Sequence, residues 1–208
     1  METPPRRGPC ESPCGEISPW LTIHREMSLS LLGWLFALGV LAHNAEEAWL
    51  LPAWSTRAGR WHVPVQAAEF RFAVTVLTAL VFAAAGLASA GGAGSVGAYA
   101  ITGYALAMAL NAAFPHLAAC AVLRRYAPGT ATGVLFNLPL GGTLVYRALA
   151  EGQVAPAVFA VSGPLTVLGL LAAIPVLFAL GRAWSSRRAA PSARATGPCH
   201  RPGSHAGR

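Results

Sequence analysis

The residues with the clearest chemical potential in this chain are His43, Glu46 and Glu47, in the run His-Asn-Ala-Glu-Glu. Side chains three and four positions apart lie on the same face of an α-helix. One imidazole and two carboxylates on such a face can hold a divalent metal, share a proton, or act as base and acid. We therefore take these three residues as the candidate site.

The segment that carries this cluster is the first long apolar run of the chain, residues 29–51. A charged side chain near the centre of a bilayer costs roughly 2.5–3.5 kcal/mol on insertion scales. Ionisable groups in such segments usually face the interior of a helix bundle and have a function there. The position of the cluster thus indicates a buried polar site inside a membrane protein.

The composition supports the same class of protein. Of the 208 residues, 54% are hydrophobic and only 11% are charged, whereas about a quarter of the residues in soluble domains are charged. The net charge of +7 is concentrated in an arginine-rich C-terminal tail, which is typical of a cytoplasmic membrane flank rather than of a nucleic-acid site. We expect membrane lipid as a partner and no nucleic acid. The oligomeric state is left open.

Five apolar segments predict an all-α fold, a polytopic membrane helix bundle of about five transmembrane helices. Residues 1–28 are rich in Pro, Gly, Ser and charge and are predicted to form a disordered N-terminal segment. Residues 29–181 form the predicted transmembrane domain, and residues 182–208 a disordered basic tail. The predicted spans are residues 29–51, 70–90, 95–123, 133–149 and 154–181.

The distribution of arginine favours one orientation of these spans. With the N-terminus outside and the C-terminus inside, the inner side receives Arg57, Arg60, Arg124, Arg125 and the basic tail. The polar residues of four spans then fall in the same, inner half of the bilayer, and they stay together if the topology is inverted. These residues are His43, Glu46, Glu47, Glu69, Arg71, Asn111, His116 and Asn137.

A metal at this depth would need ligands from more than one helix. His116 and Glu69 are the candidates by depth, and His62 is a candidate from a loop. Pro115 has no N–H, so it leaves the carbonyl group of Asn111 without its usual partner and predicts a kink beside His116.

The same polar residues also have structural interpretations. The His43 cluster could serve only to bond neighbouring helices, and His116 could bond a backbone carbonyl. Glu69 and Arg71 could form an ion pair at a helix end. Asn111 and Asn137 could form hydrogen bonds between helices.

The motifs of this chain resemble those of the small bacterial membrane proteins named for an HXXEE motif. His43, Glu46 and Glu47 supply that motif, His116 supplies a second histidine, and the run 126–129 supplies Tyr-x-Pro-Gly in the same order. The resemblance covers about residues 29–181. It implies several membrane helices and no established activity, and we expect a multi-pass protein of the bacterial cytoplasmic membrane.

The leading hypothesis from the residues is an intramembrane metal-dependent enzyme, such as a hydrolase acting on a lipid. His43, His116 and either Glu46 or Glu47 would bind a divalent metal, zinc or iron, and the remaining carboxylate would be the general base for a metal-bound water. The alternatives are a proton- or cation-coupled carrier, which also uses buried His and Glu, and a structural or accessory membrane protein.

Overall fold

The fold was analysed in a computed structural model that describes residues 28–59 and 63–189. This part of the chain forms five helices and contains no strand, which confirms the predicted all-α class. His62, residues 1–27 of the predicted N-terminal segment and residues 190–208 of the predicted basic tail lie outside the described residues. The helices are α1 (Leu29–Ser55), α2 (Ala67–Gly91), α3 (Val96–Leu123), α4 (residues 130–150) and α5 (Pro156–Ala189).

Four of these helices, α1, α2, α3 and α5, are long and apolar enough to cross a membrane. The fourth predicted span is present as α4, but its helix is not uniform. An α-helical turn at Thr130–Thr132 leads into a π-helical turn at Gly133–Asn137, and a regular α-helix follows from Leu138 to Ala150. Large aliphatic side chains on the outside of the bundle are more than half exposed, among them Leu87, Leu165, Leu168 and Leu171. Such a surface is suited to lipid, so the chain is a membrane protein.

The first four helices form a ring. Helix α1 contacts α2 and α4, α3 contacts the same two helices, and α5 packs against α2 and α3. Side chains from all four helices of the ring meet in one apolar core, which includes Leu32, Phe36, Val81, Tyr104 and Leu144. Helices α1 and α3 lie across the ring from each other, and the polar side chains on their inner faces meet near one end of it.

The turn between α2 and α3 shows why the ring is tight. The Ser95 side chain accepts a hydrogen bond from the N–H of Ala98 and begins α3, as an N-cap serine does. A Cβ atom on Gly97 would lie 2.3 Å from the backbone of Leu87 and Ala88. Small residues of this kind let membrane helices approach closely.

Helix α3 is interrupted next to the histidine that was predicted to join the site. Phe114 has extended dihedral angles (φ −139°, ψ 120°) within the wide turn Ala112–Leu117, and the Phe114–Pro115 peptide bond is cis. A residue that precedes proline is disfavoured in the α-helical conformation. The predicted kink beside His116 is thus confirmed, and it turns His116 into the bundle, where only 6% of its surface is exposed.

Two predicted helix ends are corrected by the structure. Helix α1 continues past Leu51 and through Pro52 to Ser55. Helix α5 continues past Gly181 to Ala189, so the predicted disordered tail does not begin at residue 182. Residues 182–189 contain neither Gly nor Pro and can extend the helix. The guanidinium of Arg182 also pairs with Glu69 at 3.0 Å, which ties this extension to α2.

Asn137, at the end of the π-helical turn in α4, is fully buried. Neither its Nδ2 nor its Oδ1 atom has a hydrogen-bond partner among the described residues. The hydrogen bond between helices that was predicted for Asn137 is therefore not found. A buried amide without partners costs about 1–3 kcal/mol.

We predict that N137L will stabilise the protein by about 1 kcal/mol, because leucine fills a similar volume and leaves no polar atom unpaired. Denaturant unfolding in detergent micelles measures this change. The control is N44L, which should destabilise the protein, since Asn44 donates a 2.7 Å hydrogen bond to Thr78 on α2. A loss of stability in N137L would mean that Asn137 has a partner, such as a buried water molecule.

Candidate metal centre

Three ionisable side chains from two helices meet at one end of the bundle. The Glu47 carboxylate of α1 lies between two imidazoles, with Oε1 3.1 Å from Nε2 of His116 and Oε2 3.7 Å from Nε2 of His43. The two rings are nearly perpendicular, with centroids 5.0 Å apart. His43 is completely buried, and the Glu47 side chain is only 13% exposed. The structure therefore brings together three of the four predicted metal ligands.

This arrangement has the dimensions of a site for one cation. One ligand atom from each of His43, Glu47 and His116 can be chosen so that all lie within 4.8 Å of one another. With bonds of about 2.0–2.2 Å, two ligand atoms of one ion lie at most about 4.4 Å apart, so a single metal ion could bind all three after a small movement of the side chains. Two imidazoles and one carboxylate suit zinc as well as iron, and three protein ligands leave positions open for another molecule.

The hydrogen bonds of His43 fix the position of its proton. The Thr132 hydroxyl lies 2.6 Å from Oε2 of Glu46, to which it donates, and 3.3 Å from Nδ1 of His43. Since this hydroxyl has a single hydrogen, its oxygen accepts the N–H from Nδ1. On the other side of the ring, Nδ2 of Asn111 donates to Nε2 at 3.3 Å. A proton on Nδ1 satisfies both contacts, and it leaves on Nε2 a lone pair that accepts from Asn111 and that a metal could take instead.

Glu46 makes a different set of contacts from its neighbour Glu47. Its oxygens accept hydrogen bonds from the segment 126–132, which joins α3 to α4. The donors are the Tyr126 hydroxyl, the N–H of Gly129 at 2.8 Å, the N–H of Thr132 at 3.2 Å and the Thr132 hydroxyl. Glu46 thus anchors this segment and lies outside the group of three ligand atoms. Its predicted roles as metal ligand and base stay predictions, as does the catalytic role of Glu47.

Tyr126 remains a hydrogen-bond donor in this contact. Partial desolvation raises the pKa of its phenol above the usual value, and the neighbouring Glu46 carboxylate raises the pKa further. The backbone carbonyl of Tyr126 also accepts a 3.1 Å hydrogen bond from the indole of Trp54, at the end of α1. Glu46 and Trp54, which lie on the same helix, therefore both hold the loop between α3 and α4.

Gly129 presses this loop directly onto both imidazoles. Its backbone has a φ of +87°, and a Cβ atom at this position would lie 2.7 Å from Cε1 of His116 and 2.8 Å from Cε1 of His43. Glycine is the residue that tolerates both the left-handed conformation and the close approach. The Tyr-x-Pro-Gly run thus covers the three-residue group with backbone.

The sequence places these features in a known family. A family model described as "Protein of unknown function with HXXEE motif" matches residues 34–144. The chain belongs to this HXXEE family. It is also 34% identical to the "Uncharacterized protein YrkK" of Bacillus subtilis (strain 168) over 146 residues, which are 70% of this chain and 92% of YrkK. No solved structure matches the chain significantly. The family match confirms the resemblance, and it contains all of the residues that build the site.

Glu69, a predicted ligand candidate, and Arg71, its predicted ion-pair partner, do not join the HXXEE residues. Glu69 pairs with Arg182, and the Arg71 guanidinium donates to the backbone carbonyl of Ala48. Glu69 is thus part of an interfacial ion pair, although its partner is Arg182 and not Arg71. Sequence reasoning missed Thr132, which links Glu46 to His43. Its place three residues after the glycine of the Tyr-x-Pro-Gly run was the available signal.

We predict that G129A will destabilise the HXXEE fold by more than G152A. Gly152 has a similar φ of +69° but nothing within 4 Å of an added Cβ, so alanine there costs only the left-handed conformation, about 1–2 kcal/mol. At Gly129 the Cβ also meets both imidazoles, which adds about 1–3 kcal/mol. Unfolding in detergent micelles compares the two variants. Equal losses would show that the loop does not press on the histidines.

We predict that T132V will lower the affinity for Co²⁺ by about tenfold to a hundredfold, because His43 loses the partner that orients it. T132S retains the hydroxyl and should bind like the wild type. T102V is the matched control, since Thr102 is a buried threonine whose hydroxyl donates only to its own helix, at Ala98. Titration of the metal-free protein with Co²⁺ measures all four affinities, and an unchanged affinity in T132V would contradict the link.

Proposed function

We propose that this protein is an integral membrane enzyme whose centre binds one divalent cation through His43, Glu47 and His116. The observation that carries the proposal is the approach of these three ligand atoms to within 4.8 Å of one another. Burial adds to it, because a carboxylate held between two imidazoles and away from water needs a compensating charge. A divalent cation supplies that charge.

The reaction class follows from what the centre can offer. Two histidines and one glutamate are the ligand set of several zinc hydrolases, and a cation there would activate water and polarise a carbonyl or phosphoryl oxygen. The Thr132 hydroxyl orients His43. The backbone of Gly129 covers both imidazoles and would limit the access of water to the centre. We infer a hydrolytic reaction.

The substrate class follows from the surroundings of the centre. Phe114, two residues before His116, is 76% exposed on the outside of the bundle, and Tyr126 is half exposed. Aromatic side chains of this kind favour the boundary between hydrocarbon and headgroups. We therefore infer an amphiphile that approaches from the membrane, such as a lipid.

The sidedness of the protein belongs to the same proposal. Consecutive helices cross the membrane in opposite directions. The C-terminal ends of α1, α3 and α5 therefore lie on the side of the membrane that holds the centre. That side carries an excess of arginine, whereas the opposite side carries Arg147 in an ion pair with Glu151. The positive-inside rule then supports a bacterial cytoplasmic membrane protein with the N-terminus outside. The arginines on that side, among the described residues, are Arg57, Arg71, Arg124, Arg125, Arg182 and Arg187.

We predict that the purified full-length protein will hold about one zinc or iron ion per chain and that H43A, H116A and E47Q will each lose it. Elemental analysis by mass spectrometry after size-exclusion chromatography measures the content. E69Q is the control, since Glu69 bonds Arg182 and not the centre. A wild-type protein that stays free of metal after incubation with Zn²⁺ or Fe²⁺ would refute the proposal.

The proposed hydrolytic activity is tested separately, by product release from lipid. Incubation of the metal-loaded protein with a bacterial lipid extract should release a product that mass spectrometry detects and that is absent with E47Q. A loaded wild-type protein that gives no product would leave a metal-binding protein without the proposed activity.

A further inference from the structure

We propose that Asn111 is a fourth metal ligand, through its carboxamide oxygen, and that the centre therefore takes a six-coordinate cation. This inference rests on the proposed metal centre. Its starting point is the contact between the end of the Asn111 side chain and Nε2 of His43, which are 3.3 Å apart. That imidazole nitrogen is the atom that would bind the cation.

The spacing around His43 fits a coordination sphere. Ligand atoms with bonds of about 2.0–2.2 Å to one metal lie about 2.8–3.1 Å from their neighbours in an octahedral site and about 3.3–3.6 Å from them in a tetrahedral site. The separation between Asn111 and His43 is 3.3 Å, and that between Glu47 and His116 is 3.1 Å. The Asn111 end group is thus as close to its neighbour as a ligand would be.

The Asn111 amide would change from a hydrogen-bond donor to a metal ligand by rotating about its last side-chain bond. Without a cation, the N–H of Asn111 donates to the lone pair of Nε2 of His43. A cation takes this lone pair and repels the positive end of the N–H dipole. A half-turn of the carboxamide exchanges nitrogen and oxygen at nearly the same positions. The oxygen then faces the cation.

The backbone favours a ligand at this position. Asn111 is the last residue of the regular part of α3, directly before the wide turn that carries His116. Wide turns of this type are frequent at functional sites. The interruption at Phe114 turns His116 toward the centre, and Asn111, in the last regular turn before it, already reaches His43.

A fourth ligand changes which metal suits the site. Four protein ligands would close a tetrahedral zinc site, but they leave two positions of an octahedral cation for water and substrate. Imidazole nitrogens with carboxylate and carbonyl oxygens suit Fe²⁺ or Mn²⁺ in that geometry. We infer that the centre can take Fe²⁺ or Mn²⁺ as well as zinc.

Titration of the metal-free, full-length protein with Co²⁺ tests this inference, because six-coordinate Co²⁺ absorbs weakly in the visible and four-coordinate Co²⁺ absorbs strongly. The wild type should show weak bands. N111A should bind at least about tenfold less tightly and should show stronger bands at saturation. N111D supplies a carboxylate oxygen and should bind at least as tightly as the wild type. The matched control is N44A, since Asn44 is buried and bonds Thr78 on α2.

The outcomes separate this inference from the proposed centre. Equal or tighter binding by N111A would show that the amide only competes with the metal, which overturns the inference and leaves the three-ligand centre intact. Strong bands in the wild type, or weaker binding by a folded N111D, would also overturn it. A wild type that binds no Co²⁺ would remove the centre itself. Thermal unfolding of each metal-free variant identifies any that fail to fold.

Discussion

The structure depends on how a single carboxylate is satisfied inside a membrane. Glu46 sits on a helix that crosses the hydrocarbon region, where an unpaired charge is costly. Four hydrogen-bond donors from the segment 126–132 surround it. Because these donors come from the connection between α3 and α4, the satisfaction of Glu46 also fixes that connection against α1. The covering of both imidazoles by the Gly129 backbone follows from this attachment.

The arrangement of the four helices in a ring places the residues of the site next to one another. Helices α1 and α3 are opposite each other and pack mainly through α2 and α4. The wide turn Ala112–Leu117 on α3 and the π-helical turn Gly133–Asn137 on α4 both lie next to His43, since Asn111 contacts its Nε2 and a Cβ on Gly133 would lie 3.6 Å from its Nδ1. Irregular turns of this type widen the ring locally, so ionisable side chains fit where regular helices would pack apolar ones.

The sequence allowed much of this arrangement to be predicted, and the reasons are specific. The long apolar runs predicted the helices, Pro115 predicted the kink, and common depth predicted that His43 and His116 would meet. Depth places a residue along the membrane normal but says nothing about its direction around a helix. For that reason Glu69 was a plausible ligand until the structure paired it with Arg182. Thr132 was missed for a related reason: its position after the Tyr-x-Pro-Gly run was a signal, but its role depends on two side chains of another helix.

The geometry of α1 explains why the motif contains two adjacent glutamates. Successive residues of an α-helix point about 100° apart, so Glu46 and Glu47 cannot both face His116. The spacing i, i+4 from His43 turns Glu47 toward α3, and the spacing i, i+3 turns Glu46 toward α4. His43 stands between the two directions and contacts Asn111 on one side and Thr132 on the other. One face of one helix therefore connects a group that can bind a cation to the loop that covers it, and loss of the Glu46 carboxylate would separate the two.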